Sequence, residues 1–143
     1  MSISLVWALK ESFAAYVSGL PDGRIAVSGA AGRAADGAFA FPALDATNRR
    51  FGGTVRFTGY GGVLDLEVSD PILESEASVT FVTLAIGPSG ERVRFARLGA
   101  PCPLDTVPWT ATAVTATDDG AALLGGVYAP GAPLADVSLV ENG

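Results

Sequence analysis

The spacing of apolar residues changes once along this chain. Near the start it is helical. Leu5, Leu9, Phe13 and Val17 recur every four residues, and Leu9, Phe13 and Tyr16 continue the same side at three- and four-residue steps. Ala8, Ala14 and Ala15 favour helix, and Lys10 and Glu11 solvate the other face. The pattern predicts a helix over Trp7–Val17, capped by Ser2 or Ser4 and stopped by Gly19 and Pro21. Ser12 and Tyr16, four apart, then lie on one side of it.

Beyond the turn at Pro21-Asp22-Gly23 the period drops to two. Strands are predicted over 24–28, 38–41, 53–58, 63–68, 77–86, 91–95, 109–115 and 137–140. The strongest pairing signal is the hairpin 53–68. Val55 and Phe57 face one way on its first arm, and Leu64, Leu66 and Val68 alternate with Asp65 and Glu67 on the second. Gly59-Tyr60-Gly61-Gly62 must form its turn, and Asp70-Pro71 is expected to break the return strand. Residues 117–124 read as one or two helical turns with an Asp cap. Many short strands with Gly/Pro turns and two short helices predict a mainly β fold of sandwich-like antiparallel sheets. The length of 143 residues fits a single domain over 1–143.

Composition removes several functions. The net charge is −6, and the nearest basic cluster, Arg49-Arg50 with Arg56, is too small for a nucleic-acid duplex. The chain has no histidine, which removes Ser-His and Cys-His catalysis and the commonest metal ligand. Its single cysteine, Cys102, permits no intramolecular disulfide. No apolar run is long enough to cross a bilayer as a helix. No secretory leader is evident. If Met1 is the native start, a cytoplasmic protein is expected; if the chain is trimmed from a longer one, an extracellular or cell-surface protein is expected.

Candidate chemistry lies with the three tyrosines, Tyr16, Tyr60 and Tyr128. Tyr60 is flanked by glycines at a hairpin turn, where it lies on the surface or packs on something brought to the rim. Glycine neighbours let a flat ligand approach the backbone. Tyr128 is placed similarly, between Gly125-Gly126 and Pro130-Gly131. Ser12 has no base to activate it. Asp65 and Glu67 share a strand face, which reads as a solvated surface. Gly29-Ala30-Ala31-Gly32 lacks the Lys-Ser/Thr of a phosphate loop.

Several stretches, in order, resemble one known family. Trp7 to Gly19, WALKESFAAYVSG, is similar to the opening signature of HtaA domains, the haem-binding modules of bacterial haem-uptake proteins. Residues 36–42 resemble that family's D-G-x-F-x-F-P, and 55–66 resemble its V-x-F-T-G-H-x-G-x-L-D-L. Ser69-Asp70-Pro71 resembles its S-N-P, and 119–131 resemble its closing G-A…Y-x-x-G.

The resemblance implies antiparallel sheets and a groove for one ferric haem b; no enzyme is expected, because nothing beyond the phenols and a haem iron offers a convincing acid or base. It implies Tyr16 as the axial iron ligand, Ser12 close to the haem and able to bond a propionate, and the residue at position 60 paired with the ligand phenol; Tyr60 and Tyr128 are the further haem-binding candidates. Haem is the implied partner, together with proteins that donate or accept it. One position departs: Tyr60 stands where the family has the histidine of T-G-H. Tyr60 can donate an O–H bond to a Tyr16 phenolate, serve as a ligand itself, or wall the ring. A groove for another planar or apolar ligand, or a module kept for protein contacts, is the alternative reading. By charge alone, Arg49, Arg50 and Arg56 are further candidates for the propionates.

Overall fold

The computed structural model describes residues 2–99 and 106–142, so Cys102 lies outside the described residues. The chain opens with a strand, not a helix. β1 (Ser2–Trp7) buries Ser4, Leu5 and Trp7. It lies inside a sheet, paired antiparallel with β4 (Phe39–Pro42) on one side and β11 (Val137–Asn142) on the other. The four-residue spacing of Leu5 and Leu9 is therefore accidental. Leu9, at φ 59°, turns the chain out of the strand, and α1 (Glu11–Gly19) follows. Ser2 and Ser4 cap nothing there: Lys10 holds the N-cap position and makes no side-chain cap bond. The helical period is real only for Phe13 and Val17, the two buried residues of α1.

Two antiparallel sheets form the body. The first runs β3-β4-β1-β11-β9, with β3 (Gly32–Arg33) and β9 (Trp109–Ala111) at its edges. The second runs β10-β8-β7-β6-β5-β2, from β10 (Thr115–Ala116) to β2 (Arg24–Ser28). Its middle comprises β5 (Thr54–Gly59), β6 (Leu64–Glu76), β7 (Val79–Ile86) and β8 (Glu91–Leu98). One apolar core joins the two sheets. Trp7 of the first meets Phe95 of the second edge-on at 5.9 Å, and Phe39 meets Phe57 at the same distance. The expected sandwich-like, mainly β fold with two short helices is found.

The expected hairpin is β5–β6, in register at Val55↔Val68 and Phe57↔Leu66. Asp70-Pro71 does not end β6. Asp70 takes φ 53° and the register to β7 shifts between Ser69 and Ile72, so the strand bulges and continues. The stretch 109–115 is not one strand. Ala113 takes φ 53°, and the chain crosses from β9 in one sheet to β10 in the other.

The second helix, α2 (Asp118–Leu123), is capped by Thr117 rather than by an aspartate, its hydroxyl accepting from the Gly120 N–H at 3.0 Å. A Cβ at Gly120 would sit 2.1 Å from the Phe95 carbonyl oxygen. Glycine there lets α2 lie directly on β8, which sets the position of the segment 124–128.

Candidate functional site

Three segments far apart in sequence meet beside α1. Phe13 packs edge-on against Phe57 at 5.1 Å and Val17 is fully buried. This fixes the helix on β5 and turns Tyr16 toward a groove of about 440 Å³. The buried Phe13 and Leu124 line it with Leu64. Tyr16, Tyr60 and Tyr128 also line it. Val63 and Val127, 89% and 79% exposed, form apolar rims. The volume falls within the roughly 300–1,000 Å³ typical of small-molecule sites. Exposed apolar side chains gathered round a concave surface mark a binding site more often than a bare exterior.

Two hydrogen bonds cross the groove's walls. The Tyr16 hydroxyl donates to the Tyr60 hydroxyl at 2.8 Å, with the rings tilted at 49° and their centroids 6.4 Å apart. One turn earlier on α1, Ser12 Oγ and the Tyr128 hydroxyl lie 3.0 Å apart. All four candidate residues from the sequence, Ser12, Tyr16, Tyr60 and Tyr128, are thus brought together in two pairs. Tyr16 is about half exposed rather than part of the core. Its bond to Tyr60 raises its pKa above the ordinary phenol value, and desolvation and the nearby Tyr60 charge act the same way.

The Tyr60 turn is strained and held. Tyr60 takes φ 51° and Gly61 φ 61° in the short 3-10 turn Tyr60–Gly62. A left-handed non-glycine residue costs about 1–3 kcal/mol and tends to persist at functional sites. Asp22 supports it from the turn after α1: its carboxylate accepts from the Gly61 N–H at 2.8 Å and the Tyr60 N–H at 3.1 Å. The Gly61 bond, then the Tyr60 bond, hold the Asp22 carboxyl below the usual range against partial desolvation. In the sequence Asp22 reads only as part of a Pro-Asp-Gly turn, and nothing there points to residue 60.

Lys10 was also hidden in the sequence, as a solvated helix residue. Its ammonium lies 5.0 Å from the centre of the Tyr128 ring and donates to the Pro133 carbonyl at 2.6 Å. The arginines are placed otherwise. Arg56 is bound to Asp65 by two bonds, of 2.8 and 2.7 Å. Arg50 bridges to Ile72, eight residues along β6 from Leu64 and so roughly 25 Å from the groove. Arg49 bonds Leu73 beside it.

Two other hollows are larger. One of about 520 Å³ is lined by Lys10, Glu11, Ser12, Asp36 and Asp136 among others, so Ser12 faces this hollow and reaches the tyrosine groove only through its bond to Tyr128; one of about 550 Å³ lies beside Arg56, Glu67 and Pro88. Neither holds paired phenols, so chemistry rather than size selects the tyrosine groove. Among the described residues no group of three or more His, Cys, Asp or Glu could hold a metal ion. The oxygen donors in the groove are phenols and hydroxyls, which suits a ferric centre that brings its other ligands with it. No helix among the described residues is long and apolar enough to cross a membrane.

No curated protein matches the chain by sequence. Solved structures do match its fold. The N-terminal domain of HtaA from Corynebacterium glutamicum superposes with a TM-score of 0.73 at 21% identity, over 99% of this chain and 98% of that one. The heme binding protein HtaB from the same organism gives 0.73 at 20%, over 99% and 94%. The C-terminal domain of HtaA gives 0.71 at 20%, over 97% and 94%. At these identities the likeness is one of fold. The family itself is given by sequence: the HtaA model matches residues 2–140, and the chain belongs to the HtaA family.

Proposed function

We propose that this protein binds one ferric haem b in the tyrosine groove, through the Tyr16 phenolate, for capture, carriage or transfer. The observation that carries the reading is the 2.8 Å bond between Tyr16 and Tyr60 on the wall of an apolar groove. HtaB, a relative in fold, is named a heme binding protein, and the family assignment supports the same ligand class here.

The site fits such a group. The lining is apolar, the rims are open, and one phenol oxygen stands ready with a second phenol at hydrogen-bond distance. When bound, ferric haem supplies a Lewis-acidic iron that favours an anionic oxygen ligand. Tyr16 must then lose its proton. In the free protein its hydroxyl donates to Tyr60 and its pKa is raised. As a phenolate it can only accept, so the Tyr60 O–H turns and donates to Tyr16. Tyr60 thereby does by phenol what the family's histidine does by imidazole. Its held turn keeps the donor in place. Tyr128 presents a ring face and a hydroxyl to the groove, and the Ser12 hydroxyl lies 3.0 Å from that of Tyr128. The half-exposed phenols leave the ligand reachable from outside, which suits hand-over between donor and acceptor proteins rather than reaction chemistry.

Titration of the purified protein with ferric haemin, followed by visible absorption, tests the reading. A saturable one-to-one spectral change is expected. A featureless titration would overturn it and leave the groove for a different planar ligand, with Tyr60 marking the altered specificity.

A further inference from the structure

We propose that residues 125–130 form a flap, hinged on Gly125-Gly126, that folds Val127 over the bound ligand toward Val63 on the opposite rim. This rests on the haem reading above and deepens it, by assigning the step that retains the ligand once Tyr16 holds it.

The two rims repeat one short pattern. Gly61-Gly62-Val63 lies on the hairpin side, and Gly125-Gly126-Val127 follows α2. Both valines border the groove and stand in solvent. Exposed apolar side chains on either side of an apolar groove gain by covering what enters it.

Only one rim is free to move. On the hairpin side the Tyr60 and Gly61 N–H groups are bonded to the Asp22 carboxylate, and the Val63 N–H donates to the Tyr60 carbonyl at 3.1 Å. On the other side the backbone is bonded near its ends. The Gly125 N–H donates to the Ala122 carbonyl at 3.2 Å, and the Gly131 N–H donates to the Ala116 carbonyl at 2.8 Å. Between them, no backbone bond among the described residues uses the N–H of Gly126, Val127, Tyr128 or Ala129, and Pro130 has none to give. A segment with so little backbone bonding opens and shifts at low cost. Its tether is the Tyr128 side chain, held by Ser12 Oγ at 3.0 Å and by the Lys10 ammonium over its ring.

The glycines supply freedom rather than fit. At Gly120 a Cβ would meet the Phe95 carbonyl oxygen, whereas at Gly125 and Gly126 it would meet nothing within 4 Å. Both take left-handed φ, of 90° and 72°. Two consecutive residues that adopt either sign of φ without steric penalty make a hinge. The buried Leu124 anchors its fixed side in the core. Because the groove is open in the ligand-free protein, haemin enters without waiting for the flap, and closure follows. Closure therefore slows release and leaves entry unchanged.

Hydrogen exchange read by mass spectrometry, on the protein with and without one equivalent of ferric haemin, tests the closure. The N–H groups of 126–129 should exchange fast in the free protein and about tenfold more slowly when it is loaded. Haemin association, and its transfer to an excess of a haem acceptor, are then timed for wild type, Val127→Ser, the double variant Gly125→Ala/Gly126→Ala, and Leu44→Ser. Val127→Ser should speed dissociation about tenfold, the low end for burying a valine, with association unchanged. The double variant, which disfavours the left-handed φ of the hinge, should speed dissociation too. Leu44 is an exposed apolar residue outside the groove lining, so Leu44→Ser should leave both rates unchanged.

Exchange at 126–129 that haemin leaves unchanged would show a rim that stays in place, and would overturn the proposal. So would wild-type dissociation from Val127→Ser or from the double variant, slowed association in Val127→Ser, or an equal acceleration in Leu44→Ser. If the double variant does not fold, exchange in wild type and the rates of Val127→Ser decide. Failure of the haem reading is seen separately, as absence of saturable haemin binding by wild type, and it removes this proposal with it.

Discussion

Tyr16 and Tyr60 share a 2.8 Å hydrogen bond across 44 residues of sequence, one from a helix and one from a hairpin turn. The bond joins the two elements that bound the groove. Each can exchange donor and acceptor roles with the other, which a phenol paired with an alanine or a phenylalanine cannot do. Replacing Tyr60 by Phe keeps the ring and removes the donor. Ferric haem affinity is expected to fall about tenfold, as for the loss of one hydrogen bond to a charged oxygen. Tyr60→His should bind haem as tightly as wild type or more tightly. Equilibrium titration of both variants measures this.

Affinity should depend on pH. Tyr16 is protonated in the free protein near neutrality, and its pKa is raised by the bond to Tyr60. Ligation as phenolate releases that proton, so affinity should rise about tenfold per pH unit between roughly pH 6 and 8, below the phenol pKa of about 10. The effect on folding has its own sign. A group with a raised folded pKa contributes stability below its unfolded pKa and loses it as pH rises through the folded value. The Tyr16–Tyr60 pair should therefore weaken only in strong alkali. Haemin titrations at several pH values, with unfolding curves alongside, check both statements.

Asp22 positions Tyr60 through its backbone. Asp22→Ala removes the acceptor for the Gly61 and Tyr60 N–H groups and should speed haem dissociation while leaving the Tyr16 phenolate spectrum in place. Asp22→Asn, which keeps one acceptor oxygen, should recover part of the effect. The Asp22 carboxyl is held below the usual range, so its support is present above its unfolded pKa of about 3.9 and is lost as pH falls through the lower folded value. Dissociation rates followed by transfer to a haem acceptor test this.

Phe57 ties the site to the core. It is fully buried and meets Phe13 of α1 and Phe39 of the opposite sheet. Phe57→Ala should cost about 3–5 kcal/mol of stability, read from the denaturation midpoint. Haem affinity should fall with it, because α1 then loses the surface that aims Tyr16.

Much of this was legible in the chain. The β5–β6 hairpin was, because alternation at Val55, Phe57, Leu64, Leu66 and Val68 leaves one pairing that buries both rows. The gathering of Tyr16, Tyr60 and Tyr128 round one groove, with Ser12 bonded to Tyr128, follows residues that stood out in the chain through the helical spacing of Ser12 and Tyr16, the glycines around Tyr60 and the resemblance in motif order. The start of the chain was not. A central strand followed by a turn and a helix can place Leu5, Leu9 and Phe13 four apart by coincidence, and burial on both sides of β1 hides the strand period. The cap of α2 went to Thr117 because its hydroxyl, rather than an aspartate, reaches the Gly120 N–H. Asp22 and Lys10 left no sequence signal, since their roles come from tertiary contacts with residues 60–61 and 128–133. Arg49 and Arg50 show the limit of charge alone: the bulged β6 carries their neighbours to the far end of the sheet.

The central claim is that Tyr16 ligates the iron, and the most direct test is the visible spectrum of ferric haemin bound to wild type and to Tyr16→Phe. The variant removes one oxygen from an exposed position, so the fold should persist. Wild type is expected to give a saturable one-to-one spectrum of ferric tyrosinate type, and Tyr16→Phe to lose it. Binding of haemin by Tyr16→Phe with the wild-type spectrum and affinity would contradict the account.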